Sequence, residues 1–508
     1  MLFINPELDE ISQPRLVRKF TYACFPTSIG YLAAYLKREN KVVSRVVDEQ
    51  MGMLSKDSLE GELSRLKGPK VVGITNLTAT TKRVIDLTKE IKSIDPKVTV
   101  ILGGVHASVL PEAMLMKSSA DIVVRREGEL TLSELYEKLR NGSDYSGVRG
   151  ISYKKASKVI HNPDRELIKA LDDLPPFYYE LFEDNIGYYG DFGTIISSRG
   201  CPFNCIFCSQ RVISGNSYRF YSVPRVVDNI KKLVDKYHQK KIWFVDDSVT
   251  INKKRLYELL DGIIKSGYHK KVDFIGTTRA KELTREMLKK LKECNFVSLG
   301  IGVETGSERL MKIINKNELV EDNVRAIKMC REEGIITDAS LVFGLPTETR
   351  KERYDTLRLM KRLPLDGARF NVAVPYPGTE LYNIGKQESR LHIHENWSNC
   401  CNQYYIKGDD LPYVPGDTNS FDLIFDTIVA NALFYLRPLI IFKILFKSPL
   451  SGGGVLSLPK RWYIKPNVLW SLARFFGLVA GRITAVFAKV LIARVTKKKE
   501  KRVNEIIG

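Results

Sequence analysis

The sequence predicts an α/β protein of several domains, and three observations carry that expectation. Strand-like and helix-like stretches alternate from the N-terminus to about residue 390. A cysteine-rich run at 201–208 falls in the middle of this alternation. Beyond residue 390 the alternation stops, and long apolar stretches mixed with Lys and Arg take over. A chain of 508 residues with 44% hydrophobic residues has room for two to four domains with real cores.

In residues 1–150, apolar strand runs are expected at Lys41–Val47, Val71–Thr75, Val98–Gly103 and Asp121–Val124. Helices are expected between them at Ile29–Arg38, Leu59–Lys67, Lys82–Ile94 and Leu130–Leu139. Such alternation predicts a doubly wound parallel sheet, and ligands of such sheets sit at the carboxyl ends of strands. The loops there hold Thr75 and Thr78, then Gly103, Gly104 and His106, then Glu127, Gly128 and Glu129. Their glycines let a backbone approach a ligand closely. Residues 151–188 read as a connector, because Asp172-Asp173-Leu174-Pro175-Pro176 is turn chemistry.

Residues 189–390 alternate again. Strands are expected at Lys241–Asp247, Phe274–Arg279, Ser298–Glu304, Ser340–Gly344 and Gly367–Val374, each fed by a helix. Repeated βα units predict a complete or partial barrel whose site forms at the carboxyl strand ends. Asp246, Asp247, Arg279, Glu304 and Gly344 fall at such ends.

Cys201, Cys205 and Cys208 are spaced C-x3-C-x2-C, with Phe207 before the third. Three thiolates can hold three irons of a 4Fe–4S cluster and leave the fourth open to a chelating ligand. A structural zinc site is the alternative, but zinc wants four closed ligands and no second CxxC pair follows. Cys24, Cys294, Cys330, Cys400 and Cys401 read as buried or incidental thiols. Eight cysteines in 508 residues argue against a disulfide framework and for a reducing, cytoplasmic setting. The N-terminal Met1–Pro6 reads as a strand, with no basic region and longer apolar run of a signal peptide.

The cysteine run resembles the signature of the radical S-adenosylmethionine (SAM) superfamily. The domain order resembles its cobalamin-binding branch, in which a Rossmann-like domain precedes a radical SAM barrel. Phe25–Leu36 is similar to that branch's GLxYLAAxL helix, Gly103-Gly104-Val105-His106 to its GGxHA loop, and Glu127-Gly128-Glu129 to its GEGE segment, with Arg126 in place of the first glycine. Gly344–Thr347 is similar to the glycine-containing fifth-strand segment, and Tyr376–Thr379 to a P-x-P-G-T segment. The resemblance implies three cofactors: a 4Fe–4S cluster on Cys201, Cys205 and Cys208, SAM on its open iron, and cobalamin in the first domain. It implies that Asp246 or Asp247 accepts from the SAM amino group, that Arg279 faces the carboxylate and Glu304 the ribose, and that Phe207 and Gly344 border the cofactor. For cobalamin it implies Thr75, Thr78, Gly103, Gly104, His106, Glu127, Gly128 and Glu129. The loop Asp48-Glu49-Gln50 lacks the cobalt-ligating histidine of many cobalamin proteins, and His106 reads as a loop residue against the corrin.

The net charge of +20 concentrates in the C-terminal region, 391–508: residues 427–499 hold 13 Lys or Arg and no Asp or Glu. The apolar stretches Leu423–Phe446 and Val468–Val495 are interrupted by cations, each costing about 2.5–3.5 kcal/mol at a span's centre. This pattern predicts a helical, basic region lying on an anionic membrane surface rather than crossing it. A solvated helical cap is the plain alternative. Nucleic acid is a weaker third, since the cations interleave with aliphatic runs rather than stacking aromatics. The expected activity is generation of a 5′-deoxyadenosyl radical to methylate an unactivated carbon of a lipid- or isoprenoid-like substrate, with a reductase, flavodoxin or ferredoxin as electron donor. The alternatives are a radical oxidoreductase or cyclase resembling the anaerobic magnesium-protoporphyrin ester cyclase, and a non-catalytic cobalamin or Fe–S binding protein. The protein is expected in the cytoplasm, at most peripheral to the membrane's inner face.

Overall fold

The computed structural model describes residues 1–8, 24–52, 54–189, 192–401, 411–416 and 418–440. By internal contacts the chain divides into two compact units, Met1–Tyr405 with Asp410–Thr418, and Ile406–Asp409 with Asn419–Gly508.

The first unit carries two main sheets. The first sheet has seven strands: β1 (Leu2–Asn5), β2 (Arg45–Asp48), β3 (Val71–Thr75), β4 (Thr99–Gly103), β5 (Ile122–Val124), β6 (Ile151–Lys155) and β7 (Lys158–His161), in the order β2-β1-β3-β4-β5-β6-β7. Strands β1 to β5 pair in parallel, and the β6–β7 hairpin adds antiparallel to β5. The sheet therefore runs past residue 150 into the stretch read as a connector, because Tyr153 and Ile151 supply buried apolar faces. The strand order reverses at β1, with β2 on one side and β3 on the other, which opens a crevice at the carboxyl ends of β1 and β3, the usual ligand position in such sheets. Strands β1, β3 and β4 are apolar on both faces, and one side chain set packs on Leu59, Leu87 and Ile91 while the other packs on Ile29, Ala33 and Leu36. The helix Thr27–Asn40 presents Ile29, Ala33 and Leu36 at helical spacing and stops at Lys41, which adopts a left-handed φ of 57°.

The second sheet is fully parallel and open: β8 (Phe192–Ile195), β11 (Lys241–Phe244), β12 (Asp273–Thr278), β13 (Phe296–Glu304), β14 (Ile336–Phe343) and β15 (Gly367–Val372), in the order β15-β14-β13-β12-β11-β8. It is a partial barrel. A short antiparallel ribbon of its own, β9 (Ser198–Arg199) with β10 (Arg219–Phe220), follows β8 in the chain. The feeding helices start at side-chain caps: Asn252, Thr284 and Thr349 each accept from a backbone N–H of the first turn. Strand β8 escaped the sequence reading, since Phe192–Ile195 is only four residues long.

Residues 391–401 belong to the first unit. Of the second unit, the helix Ser420–Tyr435 is described, within the expected apolar stretch 423–446. Among the described residues no helix is long and apolar enough to cross a membrane. The expected stretch 468–495 lies outside the described residues.

Candidate functional site: a cavity between two loop sets

Cys201, Cys205 and Cys208 follow β9 and are all partly accessible. Gly200, just before them, has φ 88°, and a Cβ there would stand 2.0 Å from the Ser217 carbonyl oxygen, so only glycine lets the chain turn into the loop. The loop is pinned by Ile206 N–H donating to Ile314 O at 3.1 Å and by Cys208 N–H donating to Cys205 O at 3.1 Å. Arg279 Nη1 donates to the Cys205 sulfur at 3.7 Å, and the backbone N–H groups of Phe203 and Gln210 act on Cys201 and Cys208 to favour their thiolates. Burial, with Asp247 and the other cysteines nearby, pushes the Cys208 thiol up to about 11. A positive iron centre would relieve that, because bound thiolates need a compensating cation. Among the described residues no three His, Cys, Asp or Glu side chains are grouped to hold a single metal ion. Three thiols in one loop fit a cluster, in which each thiolate meets its own iron.

Behind Cys205 lies a buried charge group. Arg279 stacks over the Phe203 ring at 3.7 Å, pairs with Glu318 at 3.3 Å and donates to the Lys316 carbonyl oxygen. Lys316 Nζ sits 2.8 Å from Glu304 Oε1. Burial lowers the Lys316 ammonium, but Glu304, Glu318 and Cys205 outweigh it and hold it above its ordinary value. Glu304 takes a left-handed φ of 58° at the end of β13, a conformation that costs free energy and marks an over-determined position. Lys316 was missed by the sequence reading. It lies in the loop after the helix Glu308–Ile313, and nothing but its charge distinguishes it in the sequence.

At the end of β11 the two aspartates part. Asp246 is buried, and its oxygens accept from Ser197 N–H (2.9 Å), Ser197 Oγ (3.0 Å), Ser198 Oγ (2.8 Å) and the Ser198 N–H. Burial lifts its carboxyl to about 6 against those donors. Asp247 opens onto a cavity instead, where burial in the concave wall and neighbouring Asp246 raise it to about 6 while the Gln210 side chain donates to it. Of the pair named from the sequence, only Asp247 has a free face. Phe207 packs in an apolar patch with Leu310, Ile314 and Leu345. Gly344, at φ 79° beyond β14, donates its N–H to Glu348, whose carboxyl burial lifts to about 8.

The cavity, about 500 Å³, is lined on one side by Thr75, Leu77, Gly103, Gly104 and Arg126–Glu129, and on the other by Ser198, Arg199, Ser209, Gln210 and Asp247. It continues between the first sheet and the helix Thr27–Asn40 as a recess walled by Met1, Phe3, Ile29, Gly73 and Leu132. Gly104 has φ 94°, and a Cβ there would meet Asn76 O at 2.8 Å. Asn76 N–H donates to Gly103 O at 2.7 Å and His106 N–H to Asn76 O at 3.1 Å, so the two loops are laced by backbone bonds. Glycines on the loop side and apolar walls in the recess leave room for a ligand to approach the backbone closely. His106 and Thr78 do not line the cavity. His106 Nδ1 lies 3.2 Å from Thr78 Oγ1, its ring packs edge-on against Trp397 at 4.9 Å, and burial pushes its pKa down to about 3. The sequence reading set His106 against the corrin; in the fold its ring turns into the protein. Asp48 is likewise occupied, accepting from Asn5 and Tyr189 at 2.8 Å each.

The matched family models divide as the geometry does: the B12 binding domain covers residues 15–136 and the radical SAM superfamily residues 195–360. An uncharacterized methyltransferase from Pyrococcus horikoshii is 31% identical over 431 residues, covering 83% of this chain and 90% of that protein. The chain belongs to the cobalamin-binding radical SAM enzymes. An anaerobic magnesium-protoporphyrin IX monomethyl ester cyclase from Rubrivivax gelatinosus is 28% identical over 367 residues, covering 70% of this chain and 65% of that protein. The radical SAM methyltransferase TsrM from Kitasatospora setae, solved with tryptophan substrate and a SAM analogue, matches with a TM-score of 0.65 at 19% identity, covering 77% of this chain and 76% of that one. As a cobalamin-binding radical SAM enzyme the chain uses a 4Fe–4S cluster, SAM and cobalamin, and needs an electron donor and a small-molecule substrate.

Proposed function

We propose that this enzyme methylates an unactivated carbon of a large apolar substrate. The observation that supports it is one cavity with the corrin-side loops on one wall and Asp247 and Gln210, beside the cluster cysteines, on the other. When bound, the cluster with SAM supplies a 5′-deoxyadenosyl radical and cobalamin a transferable methyl group, and the protein's part is to bind, orient and shield them. Cys201, Cys205 and Cys208 hold the cluster. Asp247, ionised above about pH 6, accepts from the SAM amino group, since the Asp246 oxygens are already taken. Lys316 offers a cation for the SAM carboxylate alongside Arg279, since its ammonium has three N–H donors and Glu304 takes one, while Arg279 also meets Glu318, Phe203 and Cys205. Glu304 suits a ribose diol, whose two hydroxyls donate to one carboxylate. Thr75, Gly103, Gly104 and Glu127–Glu129 border the corrin, and Phe207 and Gly344 border SAM.

The apolar substrate class is supported by the acid-free run 427–499 and by Leu433, Leu436 and Leu439, which stand exposed near the end of the described chain. A helix with exposed leucines leading into clustered cations suits an anionic lipid surface, where each cation adds roughly 1 kcal/mol. The cyclase relative favours a second reading, radical oxidation or ring closure on a porphyrin-like substrate, which shares the same site. One experiment separates them. Protein reconstituted anaerobically with iron, sulfide and methylcobalamin receives reductant, SAM and a cellular lipid extract, and 5′-deoxyadenosine and S-adenosylhomocysteine are quantified. Similar, lipid-dependent amounts of both are expected. 5′-Deoxyadenosine without S-adenosylhomocysteine would replace methyl transfer by the cyclase reading, and product formation indifferent to lipid would remove the apolar substrate.

A further inference from the structure

The ribbon β9–β10 sets Arg199 directly opposite Arg219. Like charges facing across strands repel, so something must neutralise them, and what does is the corrin-side loop. Arg199 Nη2 donates to Glu129 Oε1 at 2.7 Å, and its Nη1 stands 3.6 Å from Glu127. Arg219 donates to both Glu127 oxygens at 2.8 Å. Glu127 also accepts from the Ile168 N–H at 3.1 Å. The Arg199 guanidinium lies over the Tyr31 ring at 5.0 Å, and Tyr31 stacks on Tyr221. The four charged side chains are all at most 11% exposed. Breaking one partner of a buried pair strands the other charge in low dielectric, so these contacts resist opening far more than surface pairs do.

Both ends of the bridge sit beside cofactor-facing residues. Arg199 precedes Cys201 by two residues, and Gly200 between them packs its backbone so closely on Ser217 that no Cβ would fit. Glu129 follows cavity-lining Gly128 and opens the helix Glu129–Arg140. We propose that Arg199 is a positioning residue: its bridge to Glu129 and Glu127 locks the corrin-side loop to the cluster loop, so that the two cofactors face each other at one fixed separation across the cavity. The inference rests on the family's cofactors and not on methyl transfer. Two cofactors that act on one substrate in one cavity are sensitive to their spacing, since misplacement by about 1 Å can cost 10²-fold in rate.

The test is the distance distribution between cob(II)alamin and the reduced cluster, measured by pulsed electron paramagnetic resonance. Holoenzyme loaded with hydroxocobalamin is reduced with dithionite, with no substrate present. The wild-type protein is expected to give one narrow distribution. Arg199→Gln and Glu129→Gln each broaden it, and the double variant is no broader than Arg199→Gln alone, because losing Arg199 already removes the contact to Glu129. Arg199→Gln with both cofactors bound and a wild-type distribution would overturn the proposal, as would additive broadening in the double variant. Should Arg199→Gln lose its cofactors, Glu129→Asp decides: it keeps the charge but shortens the reach by one methylene, so a shifted distribution is expected and an unchanged one refutes the lock. Failure of methyl transfer itself would leave this readout untouched.

Discussion

Lys316 Nζ lies 2.8 Å from Glu304 Oε1, with both side chains buried next to the cluster loop. The pair joins a strained strand end to a loop residue twelve positions on. Lys316→Met leaves Glu304 as an unpaired buried carboxylate and should cost about 3–5 kcal/mol of stability. The double variant Lys316→Met/Glu304→Leu should recover much of it. Thermal melts of the two variants check the stability, and SAM binding to both should be lost even where stability returns.

Asp246 and Asp247 should respond oppositely. Asp246→Asn replaces an acceptor for four donors with a group that carries its own N–H donors, and should destabilise the protein by about 1–3 kcal/mol. Asp247→Asn should leave the melting temperature within a degree or two of wild type, as expected away from packed features, while weakening SAM binding. Equilibrium binding of SAM alongside thermal melts separates the two; equal destabilisation would remove Asp247 from the site.

Gly104→Ala forces a side chain into a left-handed position 2.8 Å from the Asn76 carbonyl. It should unlace the two cavity loops and reduce cobalamin content after reconstitution, while iron and sulfide content, set by residues 201–208, stays at the wild-type level. Visible absorption of the bound corrin and iron analysis on the same sample provide the check.

His106 gives a pH dependence with a definite sign. Burial holds its folded pKa near 3, below the unfolded value of 6.5. Above pH 6.5 both states are neutral and the stability is fully present. As pH falls below 6.5 the unfolded chain takes up a proton that the folded one refuses, so stability drops by up to about 1.4 kcal/mol per pH unit. Urea titrations between pH 7 and 5 should show this slope, and His106→Gln should flatten it.

Much of the architecture is legible in the sequence because periodicity is local. Val71–Thr75 is a strand as expected, and the helix expected at Lys82–Ile94 runs Thr81–Ile94. The apolar runs of β1, β3 and β4 state that both faces are covered, which only a parallel sheet between helix layers supplies. The short β8 and the β6–β7 hairpin are not legible, since a few residues without clear alternation specify no period.

The site divides in the same way. The cysteine spacing and the glycine loops at 103–104 and 128 are set by chain geometry over a few residues, so the sequence by itself determined the cluster loop, the corrin-side loops and the family they imply. Which charges face a cofactor depends on long-range pairing that no local pattern encodes. Asp246 and Asp247 are adjacent in sequence, yet Ser197 and Ser198 claim one and the cavity the other. Arg279 looks available until Glu318 and Phe203 close on it, Lys316 looks ordinary until Glu304 reaches it, and His106 reads as a loop residue against the corrin until Trp397 and Thr78 enclose it. Tertiary structure alone decided which partners these side chains meet, because a buried charge or imidazole is defined by the group that offsets its desolvation, and those groups lie up to hundreds of residues away in the chain.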